Sequence, residues 1–174
     1  MGRDTLPPHI PPLSNSDPQS TSPGVVTASP TAGALTCSTP STWVEILEIP
    51  QAVAGDDEPV EILLIDCQIS PGTGERFSRS VEILNSIQSV QDHAQVEIVF
   101  NGETEAVTVH TVAIHRSGEA KEYATDTAFA IVPFEAHLER QAYDRRLKAS
   151  LLLADLRPGD ILEIAHTVTT IDPT

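Results

Sequence analysis

The stretch YDRRLKASLLLADLRPGDILEIAHTV, residues 143–168, decides how this chain folds. Two apolar runs, ASLLL and DILEIAHTV, flank ADLRPGD, in which Pro158 and Gly159 fit the two central positions of a type II turn. Proline presets the first position, and glycine accepts the positive φ that the second requires. The stretch therefore reads as two strands joined by a tight connection, a hairpin. Asp155, Arg157 and Asp160 bracket the turn. A guanidinium between two carboxylates holds such a connection by charge-assisted hydrogen bonds, and an Asp following Gly accepts from local backbone N–H groups. The set is read as structural rather than catalytic.

Outward from this stretch, period-two patterning dominates from Trp43 onward. WVEILEI (43–49) and VEILLID (60–66) are short apolar runs separated by a loop of Pro, Gly and Asp. The second has apolar residues on both parities, which suits a strand covered on two faces or a buried helical segment. Phe77, Val81 and Ile83 share one parity while Ser78, Ser80 and Glu82 take the other, the mark of a half-buried strand. NSIQSVQDHAQ (85–95) fits a short helix or an irregular strand. VEIVF (96–100) and AVTVHTVAIHR (106–116) resume the strand pattern, and RSGE turns the chain. AHLERQAYDRRL (136–147) has helix propensity, opposed by its strand-rich surroundings. The last strand, DILEIAHTVTT (160–170), is the candidate for an unpaired sheet edge.

Residues 1–42 differ in kind. They hold 8 of the 14 prolines and 14 Ser or Thr, with only Arg3, Asp4 and Asp17 charged. Few large side chains are available there to offset an ordering cost of roughly 1–2 kcal/mol per residue, so a disordered arm or linker is expected over 1–42 and a folded domain over 43–174. Deletion of the first 40 residues is expected to leave the thermal transition unchanged.

The net charge of −15 argues against nucleic acid as a partner, because phosphate binding needs a concentrated basic face. The one basic clump, Arg145, Arg146 and Lys148, reads as a solvated strand end. No apolar stretch approaches the roughly 18 residues of a membrane span, and prolines interrupt the N-terminus where a secretory core would lie. Taken literally, the chain is cytoplasmic.

Cys67 falls beside Asp66 in an apolar run, where a carboxylate disfavours the thiolate, so a partly buried free thiol is expected rather than a nucleophile. Cys37 is a second free thiol. His110 and His115 have opposite parity and should point to opposite faces of one strand; His93, His137 and His166 lie in separate elements. No metal, cofactor or catalytic residue is expected from these patterns. SPGTGE lacks the Lys-Ser/Thr of a phosphate loop.

The strings YDRRLKASLLLADLRPGDILEIAHTVT, TWVEILEIP, EILLIDCQI and TVHTVAIHRSGEA together resemble domain of unknown function family 3857, a bacterial β-sandwich domain that precedes transglutaminase-like domains. The matching positions include Tyr143, Asp144, Asp155, Arg157, Gly159 and Asp160, with a His-x-x-x-x-x-Arg-x-Gly hairpin over His110–Gly118. Arg145 and Lys148 depart from the family's usual Gly and Thr. The resemblance implies an all-β fold of sandwich-like antiparallel sheets, with further strands beyond Thr174. It also implies a non-catalytic accessory or interaction module of a transglutaminase-like protein, often exported, whose catalytic domain lies elsewhere. The alternative is a stand-alone β-sandwich that binds a protein or peptide through an exposed strand edge.

Overall fold

A computed structural model describes residues 30–51, 58–134 and 145–171. Among them are the strands β1 (Leu35–Cys37), β2 (Val60–Ser70), β3 (Glu75–Leu84), β4 (Gln95–Asn101), β5 (Glu105–Arg116), β6 (Glu119–Glu122), β7 (Ala130–Pro133), β8 (Arg146–Leu152) and β9 (Asp160–Thr170), with one helix, α1 (Ile87–His93). They make two sheets. The larger runs β1-β5-β9-β3-β2, with β6 also against β5; the smaller runs β4-β8-β7. All pairs are antiparallel except β1 with β5.

Strand alternation builds the core. Val96, Ile98 and Phe100 of β4 and Ala149 and Leu151 of β8 point inward, onto Val107, Val109, Val112 and Ile114 of β5, Leu162 and Val168 of β9, and Leu84. The ambiguous stretch after β3 is the helix: Ser86 caps it, accepting from the Ser89 N–H while the Ser89 hydroxyl accepts from the Ser86 N–H. Most of AHLERQAYDRRL lies outside the described residues.

Several expectations are corrected. β8 and β9 do not form a hairpin, because the tight turn between them carries the chain from the smaller sheet to the larger. β9 is no edge: it sits between β3 and β5 and is paired along its whole length. VEILLID is not covered on two faces, since β2 is the edge strand and its partner sheet lies over β5 and β9 instead. WVEILEI forms no strand. It crosses the outer face of the larger sheet as a strap, with its backbone bonded to side chains: Gln68 pairs with both the N–H and the carbonyl of Glu45, and Arg79 Nη1 donates to Leu47 at 2.6 Å.

The sheet also begins before Trp43. β1 pairs with β5, the Gly33 N–H donates to Glu105 and the Ser38 N–H to Val109, and Leu35 and Cys37 pack against the core. Removing residues 1–40 strips this ladder, so the truncated protein is expected to melt several degrees lower, a loss of about 1–3 kcal/mol. Differential scanning calorimetry of the two chains checks it; an unchanged midpoint would show that β1 contributes nothing.

Candidate functional site

The charged set around the DLRPGD turn is a clamp. Gly159 takes φ +90° and the Asp160 N–H donates to the Arg157 carbonyl at 3.1 Å, closing the expected type II turn. Arg116, from the end of β5, supplies the guanidinium between carboxylates. Its Nε and Nη2 donate to the two oxygens of Asp160 at 2.7 and 2.6 Å, and it reaches both the carbonyl and the side chain of Asp155. Arg157 was expected in that place, but its guanidinium bonds Asp155 alone while its backbone N–H donates to Asp160 at 2.7 Å. Hydrogen bonds from Arg157, then Arg116, hold the Asp155 carboxyl below its usual range, and the Asp160 carboxylate raises Arg116 further. Asp160 is 2% exposed, so the clamp's centre is dry. Tyr143 and Asp144 of the same motif lie outside the described residues.

A second constellation lies beneath the strap. Glu163 accepts from Arg79 Nε at 2.8 Å and contacts His115 Nε2 at 2.7 Å, while Arg79 also holds the strap at Leu47. His110 Nδ1 meets the Ser38 carbonyl at 2.8 Å and its Nε2 meets the Thr167 hydroxyl at 2.7 Å. A carbonyl only accepts, so Nδ1 carries the proton and Nε2 accepts from Thr167. The expectation that His110 and His115 face opposite ways fails: a β-bulge between Val109 and Thr111 adds a residue and brings both onto the strap side, against Thr167 and Glu163 of one parity. Burial lowers the pKa of His110, partly offset by its bond to Ser38. His166 faces the other way, with Nδ1 buried and unpartnered, and burial, then His110 and Arg76, push it down to about 4.

Cys37 and Cys67 are both free thiols. Burial, then Asp126, pushes Cys37 up to about 11. Cys67 is exposed rather than buried, because β2 is an edge whose face lies beyond the smaller sheet. Register puts Cys67, Ser78 and His166 in one row across β2, β3 and β9. Thiol and imidazole are thus two strands apart, roughly 10 Å. Among the described residues no three His, Cys, Asp or Glu converge as metal ligands. The basic clump is engaged: Arg145 pairs with Glu103, Lys148 with Glu97, and Arg146 lies over the Phe134 ring.

What stands open is β2. One side pairs with β3, and no strand of the described residues lies on the other. Ile62, Ile65 and Ile69 are 57, 68 and 65% exposed. Side chains of this size are normally buried at least in part, and here three stand in one exposed row on an edge strand. Pattern alone missed this, because an apolar run reads the same whether a second layer covers it or not.

Residues 70–174 match the family described as "Domain of Unknown Function with solved-structure structure (DUF3857)". A solved structure described as a "putative protease" from Parabacteroides distasonis is similar at a TM-score of 0.49 and 17% identity, over 57% of this chain and 20% of that one. This chain thus spans about a fifth of that protein. No curated protein matches the chain.

Two stability outcomes follow from the clamp and the buried imidazole. Asp160→Ala leaves Arg116 and the Arg157 N–H without their shared acceptor and is expected to cost about 3 kcal/mol, and Gly159→Val about 1–3 kcal/mol from its positive φ alone, since no atom lies where its Cβ would go. Urea unfolding measures both, and unchanged midpoints would remove the clamp from the account. The unfolded chain takes up a proton on His166 near pH 6.5, whereas the folded chain resists until about 4. Stability from this group is therefore complete above pH 6.5 and falls between 6.5 and 4, by on the order of 3 kcal/mol. His166→Asn should flatten that part of the pH profile; a profile identical to the parent's would sink the assignment.

Proposed function

The chain belongs to the DUF3857 family, and from that premise we propose that it is a non-catalytic interaction module whose contact surface is the open edge and exposed face of β2. The observation that carries this reading is the Ile62, Ile65, Ile69 row on a strand with one edge unpaired among the described residues. A strand in this state gains main-chain hydrogen bonds and apolar burial at once when another chain joins it. The family resemblance makes a transglutaminase-like domain the first partner to test, and a protein or peptide of another kind the alternative.

The reading as a non-enzyme rests on the placement of the groups that could react. Cys67 has no imidazole in its row closer than His166, and Cys37 is a thiol at neutral pH. His110 bonds Ser38 and Thr167, and His115 bonds Glu163, which also accepts from Arg79. The cleft beside the clamp, of about 260 Å³, is lined by Ile114, Arg116, Ser117, Glu119, Lys121, Tyr123 and Asp155, and its one aliphatic hydroxyl, that of Ser117, is hydrogen-bonded to no base among the described residues.

Calorimetric titration of the protein with a transglutaminase-like domain from the same genome tests the reading. Ile65→Lys, at an exposed position, is expected to leave the melting temperature unchanged and weaken binding at least tenfold. Binding that ignores Ile65→Lys would move the surface elsewhere. Thiol-dependent hydrolysis or acyl transfer by the protein alone, lost in Cys67→Ser, would overturn the non-catalytic assignment.

A further inference from the structure

The two sides of β2 differ in chemistry, and the difference specifies what fits there. On the side shared with Arg76, Ser78, Ser80 and Glu82 of β3, β2 presents Ile62, Ile65, Cys67 and Ile69. On the strap side it presents Glu61 and Asp66, with Asp66 buried under Gln68. The strap adds exposed Glu45 and Glu48, tied to β2 through the double hydrogen bond between Gln68 and the Glu45 backbone. Residues 44–51 and 58–70 contain Glu45, Glu48, Glu58, Glu61 and Asp66 and no Lys or Arg. Ile46, 56% exposed, lies in the same strap.

We propose that the β2 edge takes an extended segment in which apolar and cationic side chains alternate, laid down as an added strand of the larger sheet. The proposal rests on the reading of β2 as a contact surface and adds the chemistry of its occupant. In an added strand successive side chains point to opposite faces. One set would cover the isoleucine row. The other would meet the strap-side carboxylates, where a Lys or Arg keeps its charge beside Glu45 and Glu48 and rests its stem on Ile46. A second copy of this chain is a poor occupant, because it would bring another set of carboxylates against the same edge at a net charge of −15. An anionic segment is disfavoured for the same reason.

The test uses four synthetic peptides of about nine residues, the length of a strand: alternating Lys-Val, alternating Thr-Val, alternating Glu-Val, and a Lys/Val peptide of the first composition in two blocks. Each is titrated into ¹⁵N-labelled full chain at low salt and at roughly 0.5 M salt, where exposed charges are largely screened. The expected result is binding of the alternating Lys-Val peptide at least tenfold tighter than the others, shifts concentrated in the amides of residues 60–70, and loss of most of the advantage at high salt. Glu45→Gln with Glu48→Gln and Glu61→Gln should remove the same advantage without lowering the melting temperature. Equal binding of the Thr-Val peptide would overturn the cationic assignment and leave the contact surface standing. Equal binding by the blocked peptide would reduce the effect to bulk charge and overturn it as well. No binding by any peptide, or shifts away from β2, would overturn both this proposal and the contact surface beneath it. Concentration-dependent dimerisation that Ile65→Lys abolishes would assign the edge to a second copy instead.

Discussion

The larger sheet depends on where β9 enters it, and the Arg116–Asp160 pair fixes that point. β9 lies between β3 and β5 and pairs with both, so its register sets which side chains of all three face the core. A slip of one residue would send Leu162, Ile164 and Val168 to the strap side and Glu163 into the apolar layer. The slip is opposed at the strand's first residue. Asp160 is held by two nitrogens of Arg116 at the end of β5, and the adjacent Gly159 N–H donates to the Leu84 carbonyl at the end of β3. One short segment thus ties together the ends of both neighbours and the crossover from the smaller sheet. A planar two-nitrogen fork on a carboxylate has a single good geometry, which a lysine ammonium would not impose.

The opposite face of that sheet is organised by polar groups rather than by apolar contact. Arg79 and Glu163 are both 7% exposed, which removing either partner would turn into an unpaired buried charge. Their remaining valences go to His115 and to the Leu47 carbonyl, so the pair also fastens the strap. Trp43 Nε1 does the same at Glu75, and the segment leading into the strap is held where the Ser41 hydroxyl donates to Glu75 and His110 bonds the Ser38 carbonyl. This explains how a segment with the composition of a strand lies flat on a sheet without a ladder of its own: side chains answer its backbone groups. The bulge at His110 belongs to the same arrangement, since without the extra residue His110 and His115 could not both reach that face.

How much of this was legible in the sequence depends on the range of each signal. The turn at Pro158-Gly159 and the alternation of β3 and β4 are local, and they read correctly because φ preferences and period-two burial act within a few residues. Arg116 was visible only as part of a hairpin, since its partners lie 39 and 44 positions away. The fate of β8 and β9 was misread because a tight turn specifies a change of direction, not which sheet each strand joins. β1 is three residues long, too short for any period to register among Ser, Thr and Pro. Burial of Cys67 and of β2 was expected from composition, which cannot report whether a second layer extends that far.

An exposed edge is a hazard to any sheet protein, and natural edges are usually blunted by lysines, prolines, bulges or a covering loop. β2 has one such device, the register shift between Ile62 and Leu64, and beyond it an uninterrupted run to Ser70. Its remaining protection is electrostatic. Strands that pair lie about 4.8 Å apart, well inside the roughly 8 Å screening length at physiological salt, so the carboxylates flanking β2 are felt by whatever approaches. That repulsion discriminates. It acts against another copy of this chain, and against most acidic surfaces, while leaving the isoleucine row accessible to a chain of the other sign. On the proposed reading of β2, the same charges that keep the edge from pairing indiscriminately also define the class of chain it admits.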